Sequence, residues 1–426
     1  MVSKKQHSPW LWIPSLCAAE EIPSAVVLFV ALIMFLQFGA DETTAALYGA
    51  LLFLPWVMKS YLYSKVRKAG FFKRYLHVAE SLMFLCLMGI AVYISEAKVH
   101  TWLLFVFLFL LSLLCSWHEL LSRFYYSRML RPRQQRIFKT TKMLSSHLVL
   151  IATYGVLIII AGFFEVFFRS YQKAWAMESS LLAGGFLIFL VINFITLQNP
   201  KVLDRYRYET FADTVKNELH VLSRIQQKPN VFPVLFSLFF LLLPQALMFN
   251  TRVFFLLSPA SQGGLECSVQ DVGFAQGTIG VLAFSMGIIL GRAMMKRFGI
   301  RPMFWWTAIV LTLSPLSYML MARQPQVGDM FLLCCMTFFA QFCFGFGLNV
   351  CHLYVPYISD QRYRNTTNFL YVPMVASLMI APMALSGWLS TALGYSTFFT
   401  LCTLCTPVAW IILIICKTER ILTSYE

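Results

Sequence analysis

Long runs of apolar side chains, each closed by a few polar or basic residues, recur along almost the whole chain. A helix covers the hydrocarbon layer of a bilayer with about 20 apolar residues, and it satisfies its own backbone donors and acceptors where no water can. The pattern therefore predicts about twelve membrane-spanning helices, at 10–39, 42–64, 73–95, 101–126, 138–168, 174–197, 231–256, 271–295, 302–322, 328–358, 364–392 and 395–416. Several runs exceed a minimal span, which predicts tilt or interruption, with Pro23, Pro244, Pro315, Pro373 and Pro382 as the places for bends. Lys4 and Lys5 lead into a first run too long for the apolar core of a cleavable leader, so the first helix is expected to stay in the mature protein.

Composition removes the alternative of a water-soluble core. Of 426 residues, 59% are hydrophobic and 12% charged, with mean hydropathy +0.69, whereas soluble domains average about half and about a quarter. The formal charge of +15 matters through its placement. Lys65, Arg67, Lys68, Lys73 and Arg74 follow span two, and Arg123, Arg128, Arg131, Arg133, Arg136, Lys139 and Lys142 surround the loop after span four. Alternate loops, such as 39–43 and 394–396, carry almost no charge of that sign. By the positive-inside rule the basic loops and both termini are expected in the cytoplasm. With no folded basic domain, no nucleic-acid partner is expected; the bilayer itself is the partner.

The longest connection, 198–230, separates an N-terminal six-span half (1–197) from a C-terminal one (231–426). Within it Phe211, Val215, Leu219 and Leu222 fall at helical spacing, predicting a short amphipathic helix on the membrane surface. The expected fold is thus an all-α integral membrane protein of two pseudo-symmetric halves, the plan of a transporter built from parallel repeats.

Residues 287–301 are the most informative stretch: an apolar run ending on small residues, then a basic loop with Lys296, Arg297, Gly299 and Arg301, then a new apolar run opened by Pro302. Together with Ala19-Glu20-Glu21-Ile22-Pro23, Leu54 to Lys59, Gly263 to Val281 and Gly345 to Ser359 continuing to Ser386-Gly387, it resembles the major facilitator superfamily, and within it the muropeptide permease branch. The resemblance implies a multi-pass protein of the bacterial inner membrane that imports a sugar–peptide solute. It also implies that Lys65, Arg67, Gly70, Arg297, Gly299 and Arg301 belong to two equivalent gating loops. The first loop, Ser64 to Gly70, lacks the acid usual in that superfamily, and Arg123 stands where span four of relatives carries a second acid.

An ionisable residue at the centre of a span costs about 2.5–3.5 kcal/mol, so each needs a partner, water or a function. Glu20, Glu21, Lys59, Glu80, His118, Glu119 and His147 all qualify. Glu20, Lys59 and Glu80 fall at similar depth, so Lys59 is expected to pair with Glu20 or Glu80, either as a helix tie or for handling solute and protons. Glu119 beside His118 is a proton-coupling candidate, with Glu20 and Glu21 as further ones; the alternative is that Glu119 simply pairs with Arg123 one turn on.

The second half offers mostly neutral groups: Gln245, Asn250, Gln276, Gln341, Asn349 and His352. Amides suit the hydroxyls and amides of a sugar or peptide, or else bridge helices for about 0.6 kcal/mol each. Trp56, beside Lys59, is placed facing the cavity, and Arg252 either attracts an anion or snorkels to the headgroups. The eleven cysteines show neither a disulfide framework nor metal spacing, and no phosphate-binding loop supports ATP-driven transport. The residues thus predict a cofactor-free secondary transporter of a small solute with protons as coupling ion. The rival is a transport-inactive receptor or scaffold of the same fold; an enzyme is not expected.

Overall fold

The computed structural model describes residues 8–59, 72–96, 98–199, 227–323, 329–354, 357 and 364–423, and every regular element among them is helical. The spans are α1 (Pro9–Gln37), α2 (Glu42–Leu51, resuming at 54–59), α3 (Phe72–Ser95), α4 (Thr101–Met129), α5 (Pro132–Phe168) and α6 (Tyr171–Thr196). They continue as α7 (Val231–Leu257), α8 (Val269–Phe298), α9 (Ile300–Arg323), α10 (Met330–Leu353), α11 (Arg364–Leu393) and α12 (Tyr395–Ile415), followed by a short α13 (Thr418–Thr423). Among the described residues 11 helices are long and apolar enough to cross a membrane. The remaining one, α2, runs into residues outside the description, as does the connection 200–226 that holds the expected amphipathic helix.

The two halves repeat one packing scheme offset by six helices. Contacts α1–α5, α1–α6, α3–α4 and α3–α6 recur as α7–α11, α7–α12, α9–α10 and α9–α12. The helices at the periphery turn apolar side chains outward, as with Leu85 and Val92 on α3, Ile188 and Phe194 on α6, Trp306 on α9, and Leu404 and Ile414 on α12. In water this would be a defect; against acyl chains it is the expected face. The ends of the long connection are docked one on each half: the Gln198 N–H donates to the Tyr125 hydroxyl (2.8 Å), and the Tyr357 hydroxyl donates to the Pro229 carbonyl (2.7 Å).

The halves meet mainly through α2–α11 and α5–α8, which are images of each other under the six-helix offset. Apolar burial gives helices no mutual attraction in a bilayer, so close approach at small residues does the work. A Cβ on Gly277 would collide with the Tyr154 carbonyl, one on Gly162 with Gln270, and one on Gly387 with the Glu42 carbonyl. At the α5–α8 contact both helices are locally π-helical, over Ala152–Leu157 and Gly273–Gly280. A third π segment, Val26–Val30, follows Pro23 in α1, as expected where proline removes a backbone donor. Pro244 and Pro315 also lie inside helices, as do Pro14 and Pro407, which the sequence analysis did not single out.

Gly277→Ala should therefore lower the thermal stability of the detergent-solubilised protein by the overpacking cost of about 1–3 kcal/mol. Gly184→Ala, where a new Cβ meets nothing within 4 Å, should be neutral or slightly stabilising. Equal melting shifts for the two would show that the α5–α8 contact does not set stability.

Candidate solute site between the two halves

Glu119, Ser122 and Arg123 share one face of α4 because residues three and four apart lie over one another. That face looks onto α1 and α2. The Glu119 carboxylate meets Lys59 Nζ of α2 at 2.5 Å and Arg123 Nη2 at 2.6 Å, and it accepts from Trp56 Nε1 at 3.0 Å. Lys59 and Glu119 are 3% and 13% exposed, Arg123 37%. Ser122 Oγ donates to Glu20 at 2.5 Å, and the half-buried Glu21 lies beside Ser146 of α5. Neither Glu20 nor Glu21 forms an ion pair within 4 Å among the described residues.

Lys59 thus pairs with Glu119, contrary to the expectation of Glu20 or Glu80. Depth along a helix is readable from sequence, but rotation about its axis decides partners. Glu80 points away from the cleft into a separate network: His118 Nε2 at 3.2 Å, His77 Nδ1 at 3.6 Å, and an amide donated by Asn193 at 2.8 Å, with Ser15 Oγ donating to Asn193 at 2.6 Å. These groups tie α1, α3, α4 and α6 together, and Glu80 and His118 are fully enclosed. Successive helical residues diverge by about 100°, so His118 faces the bundle while Glu119 faces the cleft. The two neighbours have separate partners, His118 with Glu80 and Glu119 with Lys59 and Arg123.

The second-half amides divide in the same way. Gln245 donates to the Leu311 carbonyl (2.9 Å) and Asn250 to the Ala46 carbonyl across the halves (3.1 Å), both between helices, whereas Asn349 donates to the Phe346 carbonyl (2.9 Å) of its own helix. Gln341 donates to Gln276 (3.2 Å), which donates to the Tyr318 hydroxyl (2.8 Å), joining α8, α9 and α10. His352 is exposed beside Arg292, 3.4 Å away. An aromatic strip links the halves: Trp56 and Phe53 (6.3 Å between rings), Phe53 and Phe249 (5.2 Å), with the Arg252 guanidinium 4.8 Å over Phe249. Phe53, Phe249, Tyr154 and Tyr318 were missed in the sequence because aromatic residues are everywhere in it. Their cleft positions become visible only when helices are paired.

The loop residues Arg297, Gly299 and Arg301 form no ion pair between the halves among the described residues. Arg297 lies over the Phe298 ring (5.4 Å), Gly299 caps α8 at φ +84°, and Arg301 Nε is 3.7 Å from Glu419 of α13. Lys65, Arg67 and Gly70 lie outside the described residues. The clearest cross-half latch stands at the end opposite the basic loops and centres on Glu42, which begins α2. Its carboxylate accepts from Ser258 (3.0 Å), Ser390 (3.1 Å) and Tyr395, while Ser258 and Tyr395 are 2.7 Å apart. Toward the basic end the described cross-half hydrogen bond is Ser285 with His147, 3.1 Å.

Two six-helix halves related by a repeated packing scheme, with a polar cleft between them, define the major facilitator fold. Solved transporters superpose on the chain over nearly its whole length. A proton-dependent oligopeptide transporter matches at TM-score 0.70 and 12% identity, over 97% of this chain and 99% of that one. The nucleoside transporter NupG matches at 0.69 and 14%, over 96% and 98%. A bacterial homolog of the human lysosomal transporter Spinster, inward-facing and unoccupied, matches at 0.69 and 12%, over 100% and 99%. No family model and no curated protein sequence matches the chain. The likeness establishes the fold, and these neighbours are transporters rather than enzymes.

Removing one partner of a buried ion pair costs about 3–5 kcal/mol, whereas replacing both is near neutral. Glu119→Gln should accordingly destabilise strongly, and adding Lys59→Met should recover most of the loss, since the more exposed Arg123 contributes little. Thermal unfolding of the single and double variants measures the coupling. Additive losses would mean that Lys59 and Glu119 do not act as a pair.

Proposed function

We propose that the chain is a secondary transporter that moves a small amphiphilic solute, of sugar–peptide type and muropeptide-like, by rocking its two halves about the central cleft. The observation that carries this reading is the cluster of ionisable side chains on α1, α2 and α4 at membrane depth, with the described cross-half hydrogen bonds concentrated at a single end. A protein of this fold held rigid as a scaffold has no use for half-exposed carboxylates at membrane depth, which cost free energy unless something is handled there. In this reading residues 1–197 and 231–426 are the moving bodies and 198–230 their connection. The basic loops and both termini face the cytoplasm, and the membrane is the bacterial inner one.

The reading also includes proton coupling. Glu119 is committed to Lys59 and Arg123, which favours Glu21, with Glu20 beside it, as the carboxylate that exchanges the proton. Such a group must alternate between a solvated and an occluded setting, and α1, which carries both, also packs against α4, α5 and α6. Alternating access would then expose Glu21 to each side in turn.

Reconstituted liposomes offered anhydromuropeptides, simple sugars and organic anions, with and without an inward proton gradient, test this directly. Uptake of at least one solute is expected, with gradient-driven accumulation abolished by Glu21→Gln while solute exchange persists. Accumulation unchanged in Glu21→Gln and Glu20→Gln would remove the proton assignment. If no solute enters or exchanges, the transport reading fails in favour of a receptor or scaffold.

A further inference from the structure

Arg252 of α7 is a cation inside a span that the proposed mechanism leaves without a task. Its surroundings are unusual for a guanidinium inside a membrane protein. The described acidic residues of 231–426, namely Glu266, Asp271, Asp329 and Glu419, fall at helix ends or in connections, away from the middle of the spans. None of the ion pairs among the described residues includes Arg252, and its enclosed Nε has no hydrogen-bond partner. The side chain does not snorkel. It lies back over Phe249, one turn toward the middle of α7, whereas the nearer membrane surface is at Leu257.

Its electrostatic neighbours are two phenols, Tyr154 of α5 and Tyr318 of α9. The amide chain Gln341 to Gln276 to Tyr318 delivers a donor onto the Tyr318 oxygen, so that hydroxyl must direct its own proton elsewhere, and no acceptor for it occurs among the described hydrogen bonds. The Tyr154 hydroxyl likewise has no described partner. A guanidinium whose buried Nε is unpartnered thus has two phenols as its electrostatic neighbours and no carboxylate paired with it among the described residues.

We infer that the surroundings of Arg252 are a subsite for the carboxylate of the transported solute, with Arg252 as its anchor and Tyr318 and Tyr154 as supporting donors. The inference rests on the transport reading above for the word transported, and on the residues alone for the site. One guanidinium balances one negative charge. In a low-dielectric cleft this favours a monoanionic carboxylate over a dianionic phosphate, which would leave a charge unpaired. The first half contributes no spare cation here, since Lys59 and Arg123 already hold Glu119.

The test uses matched solutes that differ by the acid group: N-acetylmuramate against N-acetylglucosamine, gluconate against glucose, lactate against lactamide, with glucose 6-phosphate as the phosphate arm. Ligand-induced stabilisation of the purified full chain is expected for at least one carboxylate, with affinity about tenfold or more above its neutral partner. Arg252→Gln should abolish that preference, Arg252→Lys should weaken it, and Tyr318→Phe should reduce it less. The inference is overturned if carboxylate and neutral members bind alike, if the phosphate is preferred, if nothing in the panel binds, or if Arg252→Lys and Arg252→Gln, folded as judged by unliganded melting, bind as the parent does. Carboxylates that bind through Arg252 but never cross a liposome would leave the site standing and sink the transport reading. Uptake of neutral solutes indifferent to Arg252→Gln would do the reverse.

Discussion

The Tyr154 carbonyl occupies the place where a side chain on residue 277 would have to begin. That backbone approach, together with Gly162 against Gln270 and its six-helix counterpart Gly387 against Glu42, is the constraint on which the rest of the molecule depends. Two helical bodies in a bilayer have no hydrophobic reason to stay together, because acyl chains serve apolar side chains as well as another helix does. Contact must come from dispersion at very short range and from hydrogen bonds, and both require glycine or another small residue at the seam. The π-helical turns in α5 and α8 belong to the same device: an inserted residue bulges each backbone at the level where the helices touch. A seam of this kind is close-packed but narrow, which permits one body to roll on the other without exposing a core.

The glycine seam also decides where polar groups can stand. Around it, each half deals with its buried charges internally. In the first half Glu80 is answered by His118, His77 and Asn193 within the bundle, and Glu119 by Lys59 and Arg123 at the cleft. The energies differ in kind. The enclosed Glu80 network would be costly to break and gives nothing to a solute. The Glu119 cluster faces the cleft with Arg123 partly solvated, so water can relax it as the halves move. Glu42 closes the far end with hydroxyl donors instead of a cation. A carboxylate held by neutral hydroxyls can trade them for water at modest cost, since the net value of a neutral hydrogen bond is about 1 kcal/mol. Such a latch suits a gate that must open.

Much of the architecture was legible from the chain because a bilayer imposes a length. The twelve apolar runs, the six-and-six division and the absence of strands follow from span length and backbone satisfaction, and the described helices agree with nearly every predicted interval. The site was legible only as a list of residues. Glu119 was singled out, but its partnership with Lys59 was not, because similar depth had suggested Glu20 and Glu80. Gln245 and Asn250 were singled out as solute-cavity candidates, and each donates to the backbone of another helix, because an amide facing a neighbouring backbone has the same sequence signature as one facing a cavity. The π segments had a signal, Gly273, Gly277 and Gly280 at helical spacing opposite Gly155, which reads as close packing without revealing the extra residue per turn.

The six-helix offset makes the unequal halves instructive. Equivalent helices pack alike, yet the first half brings carboxylates and cations together at membrane depth (Glu20, Glu119, Lys59, Arg123), while the second brings Arg252 with the Tyr318 phenol and amides. Symmetric scaffolds permit this because packing depends on small residues and apolar faces, which leave cleft-facing positions free to vary. Chemistry therefore concentrates where the repeat is broken. The described basic loop follows the same logic: Arg301 pairs with Glu419 in its own half, and no ion pair of the 296–301 loop joins the halves among the described residues. The described hydrogen bonds that join the halves cluster instead on the hydroxyl-held carboxylate of Glu42, which begins α2, with no contribution from the loop.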